Sequence, residues 1–586
     1  MFLKKSYKTI NGKTYNYYSV VESYREEGKI RHRILYPVGH LDDAAAERLK
    51  LVLRAHSQPD TVVATLEDIE VTKHLLFLDV AVLIYLWQQW NFDRFFPKEH
   101  WVASLIINRC IDPVAKFGIQ EWLSQTVLRA YFPLALEYNK FDVYRELDHL
   151  FYREADLHSF LYERLRHSQK INLSAFFYDI TSSFFTGKRC RLALFGYSRD
   201  HRADCIQIVI ALLITPDGYP FYWQVMEGNT QDVTTIEQLV KDLKHRFKLE
   251  NCTLVFDRGM VSVDNLTSIE SQEWEYISAM DRDEFGSTSF FGSVWPTSPN
   301  ENDWEQVLAM QEFVVIEDDL FYYREIEGLA KRYVITFDVA RFLDERRMQK
   351  NRLKNALQWL NSKNEMLAKA KKSRKQGRLD QEVRAVLKRY RANRFLQVKI
   401  EPRILIIPGK KEGSTREVSS FQLCHSIDEQ ALEQEQRFHG ITCFITNISA
   451  EKTSAFEIVR WYRDKNKVEE AFHEIKSHLD LRPIYLTRDK RVCAHVSICM
   501  LAYFLYNDME KRLRESGIQL STEEALKILA KCQLNRLTYE KHKSHWSITK
   551  VTSEQEEILK ALGCESIVRK EQVKKIIEEL EALNVV

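Results

Sequence analysis

Four polar residues recur at helical spacing in one late stretch of the chain, which we predict to be a helix from Ala455 to Asp480. A helix turns about 100° per residue, so offsets of three, seven and fourteen place them within roughly a 60° wedge. They are one phenol, two ammonium groups and one carboxylate: Tyr462, Lys465, Glu469 and Lys476. An adjacent apolar stripe predicts that the helix docks on a core. The alternative is a surface helix with an i,i+4 ion pair between Lys465 and Glu469.

Two aspartates stand in unusual settings, because each ends a short apolar run. Asp179 lies in SAFFYDIT and Asp257 in TLVFDRGM, and both runs are typical of buried strands. Each Asp could simply cap the following turn. Together with Glu469 they could instead share a metal site, since three converging carboxylates repel one another unless cations neutralise them. Hard oxygen ligands of this kind suit Mg²⁺ or Mn²⁺.

These residues resemble the Asp-Asp-Glu triad of bacterial insertion-sequence transposases, with Asp179 in YDIT, Asp257 in FDRGM and Glu469 in the late helix. The helix is similar to the Y-x2-R-x3-E-x6-K signature of one large subgroup, with Lys465 in the position of the Arg. The segments GYSRDHRADCIQ, GNTQD and KSHLDLRPIY also resemble that subgroup. The resemblance spans roughly residues 65 to 510.

The resemblance implies a DNA transposase that cleaves the ends of its own insertion sequence and transfers them to a target. It implies two Mg²⁺ ions, with Mn²⁺ as a plausible substitute, held by Asp179, Asp257 and Glu469. Tyr462, Lys465 and Lys476 would bind DNA phosphates beside the scissile bond. The expected partner is double-stranded DNA, both transposon ends and target, bound by a homodimer. Asn466 stands where the family often has an aromatic residue that handles a flipped base.

Two other functions remain open on these residues. One is a metal-dependent nuclease that cuts DNA without joining it, because the triad is common to both activities. The other is a non-catalytic DNA-binding protein derived from a transposase. The presence of all three carboxylates disfavours the second alternative.

The same resemblance predicts an α/β catalytic core with a ribonuclease-H-like fold, interrupted by a large insertion and flanked by helical regions. Asp257 and Glu469 are 212 positions apart, too far for one loop. We predict a small basic β unit, a helical domain, the first part of the core, an insertion with a basic helical hairpin, the second part of the core with the Glu469 helix, and a helical C-terminal region. In that order they span residues 1–42, 43–168, 169–282, 283–438, 439–514 and 515–586.

Within 169–282 the pattern predicts five strands and two helices in a β-β-β-α-β-α-β order. The strands are Leu173–Ile180, Ile206–Thr215, Tyr219–Met226, Thr253–Asp257 and Glu275–Met280, and the helices are Asp232–Phe247 and Val263–Ser271. Arg199 and Arg202, in the loop GYSRDHRAD, could hold a phosphate. The alternative for both is a solvated loop.

Two other stretches carry local positive charge. Up to residue 40 there are eight Lys and Arg against three Glu, interleaved with tyrosines, which fits either a DNA-contacting β-ribbon or a solvated hairpin. Arg346 to Arg394 holds seventeen Lys and Arg against three acids, on two predicted helices around Gly377. We expect this segment to bind the DNA backbone, with contacts that include Lys371, Lys372 and Arg374. The alternative is a solvated pair of helices.

Composition sets the remaining bounds. The chain of 586 residues needs several domains, and its net charge of +2 means that any DNA-binding character must be local. Ten scattered cysteines argue against a zinc site or a disulfide framework and fit a reducing compartment. No apolar run is long enough to span a bilayer and no signal peptide is evident. We therefore expect a bacterial cytoplasmic protein, associated with the nucleoid when bound to DNA.

Overall fold

A computed structural model describes most of the chain, namely residues 1–11, 13–56, 67, 69–132, 139–168, 171–187, 189–317, 321–326, 331–409, 413–539 and 543–583. The chain divides into two compact units. The first unit comprises Met1–Tyr85, Gly118–Leu136 and Glu523–Val586, and the second comprises Leu86–Phe117 and Glu137–Thr522. Each unit is therefore assembled from segments that are distant in sequence.

The strands, in chain order, are β1 Phe2–Ile10, β2 Lys13–Glu26, β3 Lys29–His40, β4 Glu70–Leu76, β5 Phe176–Phe184, β6 Gln207–Ile214, β7 Pro220–Glu227, β8 Thr253–Phe256, β9 Glu275–Ala279, β10 Val314–Glu317, β11 Phe321–Ile326, β12 Arg332–Asp338, β13 Leu396–Pro408, β14 Thr415–Ile427, β15 Ile441–Thr446, β16 Gln533–Tyr539 and β17 Lys543–Ile548.

The helices, in chain order, are α1 Asp43–His56, α2 Leu78–Gln89, α3 Phe92–Phe95, α4 His100–Ile111, α5 Ile119–Ser124, α6 Lys140–Tyr152, α7 Glu154–His167, α8 Thr235–Phe247, α9 Val263–Glu270, α10 Arg282–Ser287, α11 Phe291–Val294, α12 Trp304–Met310, α13 Val339–Ala368, α14 Gln376–Arg389, α15 Glu429–Gln436, α16 Ala455–Asp464, α17 Asn466–Lys476, α18 Asp489–Glu515, α19 Thr522–Leu529, α20 Ser553–Leu562 and α21 Lys570–Ala582.

The first unit contains two small antiparallel sheets. Strands β1, β2 and β3 form a meander in which the β2–β3 hairpin turns at Glu27 and Gly28, both at positive φ. Helix α1 packs on this sheet, where Leu3, Tyr18 and Ala46 form a small core. The second sheet joins β4 to β16 and β17 from the C-terminal segment. The regions 43–168 and 515–586, predicted to be helical, therefore also contain strands, because β4 and the β16–β17 hairpin pair across the sequence.

A nine-stranded mixed sheet forms the centre of the second unit, in the order β10-β11-β12-β15-β9-β8-β5-β6-β7. Strands β5, β6 and β7 are antiparallel, whereas β8 is parallel to β5 and β9 is parallel to β8. Every residue of β6, QIVIALLI, is buried, which explains the continuous apolar run without alternation. All five predicted strands and both predicted helices of this region are confirmed to within a few residues at their ends.

Residues 283–438 contribute to two structures. Strands β10, β11 and β12 extend the nine-stranded sheet. Helices α13 and α14 and the long β13–β14 hairpin instead surround a hydrophobic cluster of their own, centred on Ala356, Leu360, Phe395 and Phe421. Gly377 lies in the first turn of α14 rather than between the two helices, because the connection is the preceding stretch from Lys369 to Lys375.

The late helix is divided in two. Helix α16 begins with a capping box between Ser454 and Glu457 and ends at Asp464. Helix α17 follows at Asn466 and ends at Lys476, not at Asp480 as predicted. At the junction the Val468 amide donates to the Lys465 carbonyl at 2.9 Å, a tighter i to i+3 turn. The break is slight, since Lys465 keeps helical backbone angles.

Helix α18 is the central helix of the second unit and packs against α4, α6 and α17. Every residue from Val492 to Tyr506 in this helix is buried. By length and composition it could cross a membrane, but 94% of its apolar window is buried inside the protein. Its hydrophobic character is therefore accounted for by packing in the core.

Candidate active site

Strand pairing brings two of the predicted carboxylates to the same point of the nine-stranded sheet. The parallel ladder between β5 and β8 ends with Tyr178 opposite Phe256. Asp179 and Asp257 are the next residues on the two strands. Strand β5 continues to Phe184, so Asp179 lies in mid-strand, opposite Leu212 of β6, rather than near the strand end as predicted. Both carboxylates line the same cleft at the point where β8 stops.

Helix α17 packs on β5 and β6 and supplies the third carboxylate. Asp179, Asp257 and Glu469 line one open cleft of about 530 Å³. Burial raises the pKa of Asp179 to about 6, the Lys465 ammonium opposes the rise, and the carboxylates of Asp257 and Glu469 add to it. The Asp179 carboxylate is therefore held where it needs a positive partner in order to ionise fully.

Lys465 is the cation nearest to this group. Its Nζ lies 3.4 Å from Glu469 Oε1 and 3.9 Å from Asp257 Oδ1. Only 4% of the Lys465 side chain is exposed, which disfavours the alternative of a solvated surface pair with Glu469. The side chain is buried because it sits at the α16–α17 junction, which faces the sheet. The Lys465 ammonium therefore neutralises part of the negative charge of Asp257 and Glu469.

Tyr462 contacts the same group from α16. Its hydroxyl donates a hydrogen bond to Asp257 Oδ1 at 3.1 Å, and its ring packs on Phe444 with the centroids 4.6 Å apart. Burial, and then the negative charge of Asp257, raise the pKa of the phenol above its usual value. The tyrosine therefore stays protonated and fixes the orientation of the Asp257 carboxylate.

Lys476 lines the cleft at the other end of α17, but it is bound to a carboxylate. Its Nζ donates to Asp200 Oδ1 at 3.0 Å and to Thr181 Oγ1 at 2.7 Å. The second oxygen of Asp200 pairs with Arg482 at 3.0 Å. Asp200 thus holds two cations, Lys476 and Arg482, at the cleft wall. Lys476 is also tied to strand β5, because Thr181 lies two residues after Asp179 on that strand.

The two predicted arginines of the GYSRDHRAD loop have different surroundings. Arg199 lines the cleft and forms an ion pair with Asp232. Arg202 does not line it, and its guanidinium bonds to both oxygens of Asp204, at 2.8 and 2.9 Å. Neither arginine is a solvated loop residue without a partner, and only Arg199 is placed with the carboxylates.

Both acidic and basic side chains line the cleft. Its lining includes the three carboxylates, the cations around them and one aromatic ring: Asp179, Asp257, Glu469, Arg199, Lys465, Lys476, Arg482 and Phe472. Hard carboxylate oxygens are the donor type that Mg²⁺ and Mn²⁺ prefer. Burial is the main cause of the raised pKa of Asp179, and the neighbouring carboxylates of Asp257 and Glu469 add to it, so a cation bound at these three groups would favour the ionised carboxylate. The residues present therefore fit a divalent cation.

A second cleft, of about 500 Å³, lies on the other side of Asp257. Four arginines line it together with Tyr462 and Asn466: Arg258, Arg282, Arg341 and Arg463. Arg282 and Arg341 both pair with Glu345, at 2.7 and 3.2 Å. Asp257 therefore lines both clefts, the one that holds the three carboxylates and this one, in which arginines predominate.

Lys371, Lys372 and Arg374 lie elsewhere, in the connection between α13 and α14. All three are exposed, and the connection is tied to the β13–β14 hairpin through the backbone, by the Arg374 amide on the Ser419 carbonyl at 3.1 Å and by Arg416 on the Lys371 carbonyl at 2.7 Å. The backbone is therefore anchored while the charged side chains project outward.

Three residues of the site were missed from the sequence: Asp200, Thr181 and Arg482. A signal was present, because Asp200 lies in GYSRDHRADCIQ and Arg482 in KSHLDLRPIY, two segments already singled out. The ion pair between them connects those segments in space. Nothing in the linear pattern indicates that pairing.

Comparison with known proteins gives two matching family models. One, described as the transposase DDE domain, matches residues 187–505, more than half of the chain. It includes Asp257 and Glu469 and begins after Asp179. The other, described as the N-terminal domain of the IS1634 family transposase, matches residues 3–62.

Among solved structures, one similar chain is the piggyBac transposase in a synaptic complex with hairpin DNA, determined by cryo-EM. It aligns at 7% identity over 86% of this chain and 82% of that chain, with a TM-score of 0.35. That similarity is too low to show a shared fold. No curated protein matches.

Proposed function

Because this chain belongs to the transposase DDE domain family, we propose that it cuts DNA at the ends of its own insertion sequence and joins those ends to a target. The resemblance found in its residues is confirmed at the level of the family, and the chain is a transposase enzyme. The Y-x2-R-x3-E-x6-K subgroup remains a prediction. The observation that carries the proposal is the convergence of Asp179, Asp257 and Glu469 in one cleft.

The proposed core is ribonuclease-H-like. The strand order β7-β6-β5-β8-β9, with the first three strands antiparallel and the last two parallel to β5, supports that assignment. Residues between β9 and β15 would be the insertion, part of which extends the sheet. The six predicted domain boundaries stay predictions within this scheme.

Divalent-metal dependence is general in this family, and we assign Mg²⁺, as two ions, to Asp179, Asp257 and Glu469. When bound, the metal supplies charge stabilisation and activation of the attacking hydroxyl group. Mn²⁺ offers the same preference for oxygen ligands. The proton that Asp179 retains up to about pH 6 must leave before its carboxylate can serve as a ligand.

The side chains around the carboxylates orient them, lower their mutual repulsion and stabilise the charge of the DNA. The Tyr462 hydroxyl fixes the Asp257 carboxylate. Lys465 lowers the repulsion among the acids, so that the three carboxylates are already placed before DNA arrives. Lys476, Arg199 and Arg482 form the positive wall of the cleft, where the negative charge of a phosphodiester is stabilised.

The proposed partners are double-stranded DNA at the transposon ends and at the target, with a homodimer in the complex. Arg202 is directed to Asp204 and would reach phosphate only by exchanging that partner. Lys371, Lys372 and Arg374 would bind backbone at a distance from the cleft. In a bacterial cell these partners imply action in the cytoplasm, at the nucleoid.

The test uses DNA that carries the flanking ends of the element, incubated with Mg²⁺ and analysed for 3′-hydroxyl cuts and for joined products. Asp179→Ala, Asp257→Ala and Glu469→Ala should each abolish cutting and retain end binding. Glu470→Gln is the matched control, because that neighbouring carboxylate lines a different cleft. Cuts without joined products would favour the nuclease alternative, and binding without cuts the non-catalytic one.

A further inference from the structure

The inner face of the β4–β16–β17 sheet carries two cations directly opposite each other. In the antiparallel register Lys73 pairs with Arg536, and two residues along the strands Leu75 pairs with Leu534. Direct partners share a face, and Leu75 and Leu534 are buried at 1% and 0% exposure. Lys73 and Arg536 are therefore on the side of the sheet that faces the protein. Like charges directly opposite each other destabilise a sheet.

A third cation joins them from the short 3₁₀ helix at Val127–Ala130. Arg129 is 7% exposed. The pKa of Lys73 is lowered by burial first and then by the charges of Arg536 and Arg129, so the three groups are close together. Burial also lowers the pKa of Arg129. All three residues belong to the first compact unit.

The two guanidinium groups lack acceptors in the described part of the chain. The Nε atoms of Arg129 and Arg536 are buried without a hydrogen-bond partner, and neither side chain forms an ion pair there. Other buried arginines differ, because they reach carbonyl oxygens through Nη: Arg109 on Asp480, Arg346 on Pro299 and Arg437 on Trp295. The Arg129–Arg536 arrangement is therefore unlike the arginines that serve the core.

Trp546 adds a donor to the same face. It lies opposite Arg536 on β17, is 6% exposed, and its indole N–H has no partner. Buried guanidinium and indole N–H groups without acceptors cost free energy, and an anion that accepts hydrogen bonds from them removes that cost. Guanidinium groups match the oxygens of a phosphate in charge and geometry.

We propose that Arg129, Lys73, Arg536 and Trp546 form an oxyanion site that holds a backbone phosphate of the DNA. The assignment to DNA rests on the proposed transposase function, whereas the oxyanion chemistry rests on the site. The same unit carries β1–β3, with its excess of Lys and Arg, so a phosphate held here adds to a surface already suited to DNA. None of the four residues is a carboxylate, so this site would bind an anion and not a metal ion.

The first arm of the test needs no variant. The full-length protein is melted in chloride and in inorganic phosphate at equal ionic strength, without divalent ions. Phosphate should raise the unfolding temperature of the wild type, and Arg129→Gln/Arg536→Gln should abolish that rise. The control is Lys531→Gln, because Lys531 is an exposed cation of the same unit. This variant should still show the rise of the unfolding temperature in phosphate. An unchanged melting temperature of the wild type in phosphate overturns the oxyanion site.

The second arm measures binding to end DNA in EDTA, so that cleavage plays no part. The double variant should bind about tenfold more weakly, and its slope of log affinity against log salt should fall by about 0.9, the value for one phosphate. Arg129→Lys, which keeps the charge, should keep most of the slope. Phosphate protection with unchanged DNA binding overturns the DNA assignment. Failure of the transposase proposal would appear instead as absence of cutting by the wild type in Mg²⁺.

Discussion

The Nζ atom of Lys465 lies 3.4 Å from Oε1 of Glu469, and the lysine is buried while the glutamate reaches into the cleft. The alternative drawn from the sequence placed this pair on an open helix surface, as an ordinary i,i+4 ion pair. Its burial changes its role, because a buried ammonium beside carboxylates is part of the site rather than a solvated face. We therefore expect substitution at Lys465 to affect folding as well as the proposed catalysis.

We expect Lys465→Arg and Lys465→Glu both to lower the unfolding temperature. The larger guanidinium overpacks a closed position and costs about 1–3 kcal/mol, while a buried fourth carboxylate costs about 3–5 kcal/mol. Thermal unfolding without divalent ions measures both. Lys452→Glu is the control, since Lys452 also pairs with a glutamate but its side chain is 62% exposed. If both Lys465 variants melted like the wild type, as the Lys452→Glu control should, the surface-helix alternative would be correct for Lys465.

The ion pairs of Asp200 lead to a second prediction. Asp200→Asn removes the charge that holds Lys476 and Arg482 at the cleft wall. We expect cleavage to fall at least about tenfold, because the cations lose their fixed positions, while affinity for end DNA stays equal or rises, because two cations are freed. Single-turnover cutting and equilibrium binding on the same DNA separate the two effects.

Asp204→Asn provides the comparison for Asp200, since Asp204 sits in the same loop and pairs with Arg202 at the surface. It should leave the cutting rate within about twofold, in line with the small energetic value of exposed ion pairs. Equal rates for the two variants would mean that Asp200 has no positioning role.

Much of the core could be predicted because its signals are local. The apolar runs that end in Asp179 and Asp257, and the helix that carries Glu469, each follow from a few neighbouring residues. Their convergence came from the resemblance, not from periodicity. What could not be predicted depends on distant pairing: β4 with β16, Asp200 with Arg482, and the burial of Lys465, whose position relative to the sheet has no signature in the helix itself.

Glu146 permits a pH prediction away from the cleft. Its Oε2 accepts the Val102 amide at 2.9 Å, and burial raises the pKa of its carboxyl to about 7. Between its ordinary value of 4.5 and 7 the folded protein holds a proton that the unfolded chain releases. The free energy of unfolding therefore falls as pH rises through this range, by at most about 3 kcal/mol.

Glu146→Gln removes that titration and keeps an acceptor for the Val102 amide. We expect the variant to melt higher than the wild type at pH 8 and close to it at pH 4.5, measured by thermal unfolding across that range. Glu163→Gln, on an exposed glutamate of α7, should show no such difference. If the unfolding temperatures of Glu146→Gln and the wild type differed by the same amount at every pH, the Glu146 carboxyl would not be the group that titrates.

The last prediction concerns the exposed connection between α13 and α14. Its five cations, Lys369, Lys371, Lys372, Arg374 and Lys375, project from a backbone that is fixed to β14. If they meet DNA, they meet phosphates, which carry no sequence information. Reversing four of these charges should weaken binding to all sequences alike and flatten the dependence of log affinity on log salt by about 0.9 per lost contact.

The matched control reverses cations of the neighbouring helices that already have acidic partners, Arg347 with Asp344 and Arg384 with Asp380. These variants change the net charge of α13 and α14 without removing the side chains of the connection. They should change the salt slope less, per charge, than the variants in the connection, because contact with phosphate and not net charge releases the condensed counterions. Equal slopes for both sets would assign the effect to the general field of the protein and leave α13, α14 and their connection as a solvated structure.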